Sequence, residues 1–586
     1  MRLLVVFARA YPWRSLAMLG CLLLAAVAEG IGLSSMLPLL DMVTKTEGDA
    51  ATATIDTDGS TLERMVGTTL TTLGLQPTIG SLLLFIVAGI AIKAALVLLA
   101  KKQVGYTVAH VATDLRLEFT RALLAARWPY YVRQPAGALA NAFATEASRA
   151  SEAYLFGTTI VSMAIQATLY MTLAAMLSWE ATVGGAAVGV FTIAALGRLV
   201  RVTKKAGAKQ TRLLRTLLSR LTDVLYAVKP LKAMARENLI GPLLERETEK
   251  LNRALQRQVL SKETLRALQE PLLVGSVAGG LYVAVVWWSL PLDNVILLAI
   301  LFGRALGSLN KVQKQYQSMT ACESAFWSLR ETIDRSDAER EMSGGTTLPS
   351  LEREVAFRNI TFGHGDAGDQ VVVRDMSMEI PAGQVVGIIG PSGAGKTTIA
   401  DLMIGLVRPQ QGSITVDDVP LEELDLRAWR RMVGYVPQEA FLLHESVLVN
   451  VSLGDSDLTE ADVERALRIA GAWDFVAEMP EGIHTELGER GARVSGGQRQ
   501  RIAIARALVH SPRVLVLDEA TAALDRDSEA AVCRTVRSLR GEMTVIAITH
   551  QPALLETTDR IYRLHDRTVE RVDDETGRRY VAQGTA

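Results

Sequence analysis

Two glycine-rich stretches carry the residues of this 586-residue chain that are best suited to chemistry. The first has the spacing G-x-x-x-x-G-K-[ST], which wraps backbone N–H groups around phosphate oxygens. It consists of Gly390, Pro391, Ser392, Gly393, Ala394, Gly395, Lys396 and Thr397. In such a loop the lysine reaches the β- and γ-phosphates and the hydroxyl residue binds Mg²⁺. The second stretch is much rarer and consists of Val494, Ser495, Gly496, Gly497 and Gln498.

The first stretch has the local context that a phosphate loop requires. Val385–Ile389 reads as a short buried strand that runs into Gly390, and Thr398–Val407 reads as the helix that follows. The positive end of that helix and the loop amides would meet the phosphate charge together. Val355–Phe362 and Val371–Ile380 alternate as strands do.

A second group of polar residues follows two further predicted strands. Val514–Leu517 leads into Asp518 and Glu519, and Val545–Ile548 leads to His550. Asp518 suits an acid that faces Mg²⁺, and Glu519 suits the group that polarises an attacking water. The alternative for the two acids is a structural ion pair at the end of a strand. A neutral His550 could hold a γ-phosphate or the water.

Residues 355–570 closely resemble the nucleotide-binding domain of ABC transporters, and the motifs occur in the order of that family. They are Gly390–Thr397, Gln438 in Tyr435-Val436-Pro437-Gln438, the signature Val494–Gln498, Asp518-Glu519, Ala523-Leu524-Asp525 and His550. Thr485–Gly491 resembles a segment typical of ABC exporters. The resemblance implies a multidomain protein: an all-α six-helix transmembrane domain followed by an α/β P-loop ATPase domain.

The resemblance also implies the roles of the site residues and the cofactors ATP and Mg²⁺. Two copies would sandwich two ATP molecules, each between one copy's loop and the other's signature, in a homodimer or a heterodimer. Glu519, His550, Lys396 and Gln438 would be catalytic, Thr398 would join the phosphate loop, and Asp525 would line the dimer interface. Thr397, Gln438 and Asp518 would hold Mg²⁺. His364 takes the place of the usual aromatic residue against adenine, so its contact with adenine is left open.

Composition separates the chain into an apolar first part and a soluble second part. Mean hydropathy is +0.21, and the net charge of −1 implies no general attraction to nucleic acid. Apolar runs long enough to cross a bilayer of about 30 Å predict six spans. They are Leu16–Leu40, Ser81–Ala100, Ser151–Leu177, Ala181–Leu199, Pro271–Leu290 and Val295–Leu309. We therefore expect a transmembrane domain at 1–335, a linker at 336–350 and the nucleotide-binding domain at 351–586.

The distribution of Lys and Arg predicts orientation. The connections between spans 2 and 3 and between spans 4 and 5 are rich in both, which places them and both termini in the cytoplasm. We expect an integral protein of the bacterial inner membrane. Breaks near Pro135 and Pro230 lie where the family has its coupling helices. Thr61–Leu75 has the spacing of a short amphipathic helix on the outer side.

Three ionisable residues lie inside predicted spans: Glu29, Lys93 and Arg304. Such residues are expensive in a bilayer and usually functional. One hypothesis is that Arg304, with Lys93, faces a central cavity and receives an anionic group such as a lipid phosphate. The other is that Glu29 pairs with a cation as a structural staple.

The expected function is ATP-driven export or flipping of an amphipathic, lipid-like substrate by alternating access. An anionic, lipid-linked cargo is one form of it, because the sixth span is weakly similar to that of lipid-linked oligosaccharide flippases. The alternatives are a multidrug or peptide exporter of the same layout and, from another class, an ATP-gated channel or regulator.

Overall fold

The computed structural model describes residues 6–7, 9–39, 68, 72, 78–286, 292–341, 345–364, 370–521 and 524–572. The chain divides into two compact units. The first contains Met1–Ala126 and Tyr130–Arg340, and the second contains Arg127–Pro129 and Glu341–Ala586. The expected outer helix at Thr61–Leu75 lies almost entirely outside the described residues.

The first unit is helical. Its described part contains six helices of 23 to 48 residues. They are α1 (Pro12–Ser34), α2 (Ile79–Ala125), α3 (Ala147–Leu177), α4 (Trp179–Tyr226), α5 (Gly241–Val286) and α6 (Leu292–Ala338). A helix of 47 residues, such as α2, is about 70 Å long at 1.5 Å per residue. It therefore extends far beyond a hydrocarbon core of about 30 Å.

Four helical stretches in the described residues are long and apolar enough to span a membrane: Pro12–Leu39, Ile79–Ala125, Ala136–Leu177 and Asn294–Ala338. Two more of the predicted spans fall on α4 and α5, apart from the last residues of the fifth. The count of six spans stays a prediction. The helix α6 continues to Ala338, which lies inside the stretch predicted as a linker.

Both predicted breaks carry short helices. Pro135 is extended and precedes a helix at Ala136–Asn141, and the second break forms a helix at Val228–Ala233. At the first break a Cβ on Gly137 would lie 2.6 Å from the Cα of Ser219 in α4. The absence of a side chain at Gly137 therefore allows this short helix to pack closely on α4.

The second unit is built on two sheets. The strands are β1 (Glu354–His364), β2 (Gln370–Pro381), β3 (Val385–Ile389), β4 (Gln411–Val416), β5 (Val419–Pro420), β6 (Val433–Val436), β7 (Val514–Asp518), β8 (Thr544–Ile548), β9 (Arg560–His565) and β10 (Thr568–Val572). One sheet has the order β2-β1-β4-β5 and is antiparallel. The other has the order β10-β9-β3-β8-β7-β6 and is parallel except for β10.

Helices cover the parallel sheet and explain why its central strands are apolar throughout. The longer ones are α7 (Lys396–Ile404), α8 (Leu426–Arg431), α9 (Val447–Ser452), α10 (Glu460–Ile469), α11 (Gly496–Leu508) and α12 (Arg526–Leu539). Every residue of β3, β7 and β8 is buried, as expected for parallel strands covered on both faces. The predicted strand at Val385–Ile389 is confirmed.

The helix predicted at Thr398–Val407 has different limits. It begins at Lys396, directly after Gly395, and ends at Ile404, before Gly405. Both glycines have positive φ, 109° and 77°. A left-handed residue at each end stops the helical hydrogen bonding, which is why glycine fixes these limits.

Small residues allow two membrane helices to cross closely. A Cβ on Gly89 of α2 would lie 2.8 Å from the carbonyl oxygen of Ala28 and 3.4 Å from the Cα of Gly32, both in α1. Helix pairs in membranes commonly use such small residues for backbone approach.

We expect Gly89→Ala to lower the apparent melting midpoint of the detergent-purified protein, because the added methyl group would force α1 and α2 apart. Overpacking of this kind costs about 1–3 kcal/mol. Gly105→Ala is the matched control on the same helix, since a Cβ there meets nothing within 4 Å. Equal midpoints for the two variants would contradict the close crossing at Gly89.

Candidate functional site

The loop at Gly390–Thr397 lies between β3 and α7. Gly395 has φ 109°, and a Cβ there would lie 2.4 Å from Cγ1 of Val372, so only glycine fits without strain and without displacing the Val372 side chain. The side chain of Lys396 is buried and turns back over the loop. Its Nζ donates hydrogen bonds to the carbonyl oxygens of Gly390 and Pro391 at 3.0 and 3.1 Å. The ammonium group is therefore held against the loop whose backbone amides would bind phosphate.

The two acids predicted after β7 have different surroundings. Asp518 is the last residue of β7, is buried, and accepts a hydrogen bond from the Tyr435 hydroxyl at 3.3 Å. Burial raises the pKa of Asp518, while hydrogen bonds from Thr397 and Tyr435 act in the opposite direction. Thr397 and Asp518, both expected to bind Mg²⁺, are thus neighbours. Their hydroxyl and carboxylate oxygens are of the type that Mg²⁺ prefers.

Glu519 brings together three residues that are far apart in sequence. Its carboxylate accepts a hydrogen bond from Nε2 of Gln438 at 2.8 Å. It also lies 3.4 Å from Nζ of Lys396 and 3.4 Å from Nε2 of His550. All four residues predicted to be catalytic therefore meet at one carboxylate.

The backbone of Glu519 is in a left-handed conformation, with φ 49°. For a residue with a side chain this costs about 1–2 kcal/mol. Its N–H donates to the carbonyl oxygen of Ile548 at 2.8 Å, one step past the pairing of Asp518 with Ile548. That bond fixes the turn that aims the carboxylate at Lys396 and His550, and strain of this kind often marks functional sites.

The order of the strands explains this convergence. In the sheet β3, β8 and β7 are adjacent and parallel, so their carboxyl ends lie at the same edge. Ligands of open α/β sheets bind at that edge. The phosphate loop follows β3, Glu519 follows β7 and His550 follows β8, which brings them together although their positions in sequence differ widely.

Two titratable groups near the site have shifted pKa values. The pKa of His550 is lowered, first by burial and then by the positive charge of Lys396. The imidazole is therefore neutral at neutral pH. Burial, and then the charge of Asp518, raises the pKa of Asp401 from 3.8 to about 6.

Tyr435 and Asp401 are site residues that the sequence analysis did not single out. Asp401 lies one helical turn after Thr397 on α7, and Tyr435 begins the Tyr435-Val436-Pro437-Gln438 motif. Helical spacing from Thr397 would have been a signal for Asp401, because residues four apart share a face. No signal in the sequence shows that the Tyr435 hydroxyl reaches Asp518.

The signature forms the beginning of α11. Ser495 Oγ accepts a hydrogen bond from the N–H of Gln498 at 3.2 Å, and the Gln498 side chain accepts one from the N–H of Ser495 at 2.9 Å. This reciprocal cap fixes the helix start. Ser495 and Gly496 are exposed, whereas Val494 and Gly497 are buried. The positive end of α11 is therefore accessible to an anion.

Asp525 lies beside the signature. It caps α12 through the N–H of Ser528 at 3.4 Å. A Cβ on Gly497 would lie 2.4 Å from Oγ of Ser528 and 3.4 Å from Oδ1 of Asp525, so the glycine allows α11 and α12 to meet closely. The segment at Thr485–Gly491 is fixed by two bonds, from Val447 N–H to Thr485 and from Leu487 N–H to Glu445, both at 3.1 Å.

His364 is the last residue of β1 and is exposed. Its ring packs edge-on against Phe362 with the ring centroids 5.3 Å apart. This contact holds the imidazole at the end of the strand. A role for His364 against adenine stays a prediction.

The three ionisable residues of the predicted spans form one cluster. Glu29 Oε1 lies 2.5 Å from Nζ of Lys93 and 2.7 Å from Nη1 of Arg304. It also accepts a hydrogen bond from the Tyr170 hydroxyl at 2.7 Å. Tyr170 was not singled out from the sequence, because its partner lies 141 residues away. Glu29 is thus paired with both cations, and whether the cations also bind substrate is a separate question.

Comparisons with known proteins agree with this architecture. Residues 15–308, half of the chain, match the family model described as ABC transporter transmembrane region, and residues 373–522 match the one described as ABC transporter. The chain therefore belongs to the ABC transporter family. More narrowly, its membrane domain and nucleotide-binding domain are fused in one polypeptide, which makes it an exporter-type half-transporter that couples ATP hydrolysis to transport.

Two relatives illustrate how the similarity is distributed. The heterocyst differentiation ATP-binding protein HepA of Nostoc is 25% identical over 453 residues, 77% of this chain and 74% of HepA. The alpha-hemolysin translocation ATP-binding protein HlyB of Proteus vulgaris is 40% identical over 218 residues, 37% of this chain and 31% of HlyB. This chain therefore spans about three quarters of HepA but less than a third of HlyB.

A solved structure has the same fold. A bacterial Atm1-family ABC exporter with ATP bound superposes with a TM-score of 0.80 at 21% identity, covering 97% of this chain and 99% of that one.

We expect Asp401→Asn to raise the apparent melting midpoint of the ATP-free protein near pH 7.5, by a few degrees. The pKa of Asp401 is higher in the folded chain than its ordinary value, so the folded state binds the extra proton between about pH 4 and 6. The stability that the extra proton contributes is therefore lost as the pH rises through about 6, and above that pH the buried carboxylate is ionised. The advantage of the variant should therefore shrink toward pH 5.

The control is Glu542→Gln, which removes an exposed carboxylate of the same unit. Thermal unfolding of the two variants and the parent would be followed from about pH 5 to 8. A gain for Asp401→Asn that did not change with pH would contradict the raised pKa.

Proposed function

We propose that two copies of this chain form a homodimer that exports or flips an amphipathic, lipid-like substrate by alternating access. ATP hydrolysis at two shared sites drives the cycle. The observation that carries the ATPase part of the proposal is the convergence of Lys396, Gln438 and His550 on the carboxylate of Glu519. A carboxylate so surrounded can hold and polarise a water beside a γ-phosphate.

Each residue has a role that follows from its position. The loop Gly390–Thr397 and the following Thr398 bind the phosphates, and Lys396 exchanges its carbonyl partners for phosphate oxygens. Glu519 accepts a hydrogen bond from the attacking water and so polarises it. His550, kept neutral by burial and by Lys396, orients the water or the γ-phosphate.

Mg²⁺ fits the oxygen atoms of Thr397, Asp518 and Gln438. When bound, it would neutralise charge on the β- and γ-phosphates. Tyr435 supports this arrangement, because its hydroxyl donates a hydrogen bond to Asp518.

The need for a second copy follows from the count of motifs. The chain has one phosphate loop and one signature. The exposed Ser495 and Gly496 at the positive end of α11 would meet the γ-phosphate bound by the other copy, and Asp525 would lie at the same seam. We place the dimer in a bacterial inner membrane with both termini and the ATPase domain in the cytoplasm.

A second candidate is an exporter of peptides or proteins. HlyB, which is named for the translocation of alpha-hemolysin, favours it, but the similarity covers only 37% of this chain. ATPase assays in nanodiscs with lipid-like amphiphiles in one series and peptides in the other would separate the two. ATPase activity that is stimulated by peptides and not by lipid-like amphiphiles would contradict the proposed lipid-like substrate.

We expect Glu519→Gln to lower ATP turnover by about 10²–10⁴-fold, the usual loss when a general base is removed. Binding should remain, because the amide keeps the hydrogen bond to Gln438 and the loop is unchanged. The measurements are steady-state phosphate release and retention of labelled ATP after gel filtration. Glu542→Gln is the control. Turnover at the parent rate in Glu519→Gln would show that another group activates the water.

A mixing experiment tests the shared site. Lys396→Ala disables the loop and Ser495→Arg disables the signature, so each variant alone should fail to retain ATP. In a mixed dimer one site combines both defects and the other combines none. Co-expression should therefore restore ATP retention that neither variant has. A mixture as inactive as its parents would argue against a site built from two copies.

A further inference from the structure

We propose that Lys93 and Arg304 form an anion site inside the membrane domain, and that Glu29 occupies this site between transport events. The ligand would be the phosphate or carboxylate headgroup of an amphiphilic cargo. The inference rests on the proposed function, since it names the chemical class of the substrate, and it adds the role of Glu29 as an internal competitor.

The first argument is the balance of charge. Two cations face one carboxylate, so the cluster has a net charge of +1 when all three groups are ionised. An uncompensated cation within a membrane-spanning helix costs about 2.5–3.5 kcal/mol or more. A singly charged anion would bring the cluster to neutrality.

The second argument is the geometry of the contacts. Lys93, Arg304 and the Tyr170 hydroxyl all contact Oε1 of Glu29. The other oxygen, Oε2, is buried and has no hydrogen-bond partner among the described residues. A structural pair of arginine and carboxylate is frequently bidentate. Here a single Arg304 nitrogen contacts Glu29 and the guanidinium also interacts with Tyr170, so the remaining N–H groups of its planar fork are the donors that a second anion could use.

The third argument is burial. The side chain of Glu29 is 2% exposed, that of Lys93 is 24% exposed and that of Arg304 is 46% exposed. The Glu29 carboxylate is therefore buried among the helices, whereas the two cations are partly exposed. On α6, Leu301 and Ala305 are buried whereas Arg304 is exposed, so the guanidinium lies at the edge of the packed face. A half-exposed arginine in a helical stretch that is long and apolar enough to span a membrane suits a face that meets water or an anionic ligand.

These observations suggest an exchange. The incoming anion takes the free donors of the Arg304 guanidinium and is also attracted by the charge of Lys93, while Glu29 keeps its contacts with Lys93 and the Tyr170 hydroxyl. No covalent bond is made or broken, and the net charge falls from +1 to zero. Because Glu29 competes with the ligand for Arg304, its charge weakens ligand binding. A purely structural staple predicts no such opposition between the two residues.

The test is lipid binding to the full-length detergent-purified protein, measured by native mass spectrometry. The probes are phosphatidylglycerol for a phosphate, oleate for a carboxylate and phosphatidylcholine as the zwitterionic reference. We expect the anionic probes to bind more tightly than phosphatidylcholine. Arg304→Gln should weaken their binding about tenfold, as for one lost charge-assisted hydrogen bond, and should leave phosphatidylcholine unchanged.

The matched control is Lys314→Gln, which removes an exposed cation from the same helix and should change binding less than about twofold. Arg304→Lys keeps the charge and should retain part of the preference for anions. Glu29→Gln should act in the opposite direction and tighten the binding of anionic probes. If Glu29→Gln fails to fold, the comparison of Arg304→Gln, Arg304→Lys and Lys314→Gln still tests the site.

The proposal is overturned if Arg304→Gln binds anionic probes as the parent does, or if Lys314→Gln weakens them equally. It is also overturned if folded Glu29→Gln weakens them. Preference for phosphatidylglycerol over oleate would identify a phosphate ligand, and the reverse a carboxylate. ATPase activity stimulated by phosphatidylglycerol and oleate equally in the parent and in Arg304→Gln would preserve the proposed export of amphiphiles while removing the anion site.

Discussion

A carboxylate that leaves water must be surrounded by cations or hydrogen-bond donors, and this constraint shapes both units of the chain. The free-energy cost of burying an unpaired ion far exceeds the stability that one ordinary hydrogen bond contributes. Glu519 meets the constraint with Lys396, Gln438 and His550, and Glu29 meets it with Lys93, Arg304 and Tyr170. In each case the packing of helices or strands must bring the partner side chains within contact of a single carboxylate.

In both clusters a protein group occupies a position suited to an anion. Lys396 is bonded to the carbonyl oxygens of its own loop and lies beside Glu519, although its expected partner is phosphate. Arg304 contacts Glu29 although it is half exposed. Such internal partners keep cations from standing unpaired before a ligand arrives, and they make ligand binding an exchange rather than a simple addition. The free energy of each exchange is therefore the difference between two ionic interactions, and it can shift a conformational equilibrium only by as much as the ligand favours one state.

Backbone approach is the second recurring feature. Glycine at 395 lets the phosphate loop pass Val372, and glycine at 497 lets α11 meet α12 beside Asp525. In the membrane unit Gly89 lets α2 approach α1, which carries Glu29. Lys93 lies one turn from Gly89 on α2, so this close crossing also brings the ammonium group to the carboxylate. Packing and charge placement therefore depend on the same crossing.

The sequence by itself determined the features that depend on neighbouring residues. The phosphate loop, the cap formed by Ser495 and Gln498, and the buried strand at Val385–Ile389 follow from local spacing and turn chemistry. Motif order was also enough to identify the family. Helix limits were less secure: α7 starts at Lys396 because positive φ at Gly395 falls immediately before it.

Only the tertiary structure decided which distant side chains meet. Nothing in the sequence places the Tyr170 hydroxyl on Glu29 or the Tyr435 hydroxyl on Asp518. The order β3-β8-β7 brings Lys396, His550 and Glu519 to one edge, and the packing of α1, α2, α3 and α6 assembles the membrane cluster. The physical reason is that local spacing fixes a side chain's direction within its own element, whereas the position of one element against another is set by packing over the whole unit.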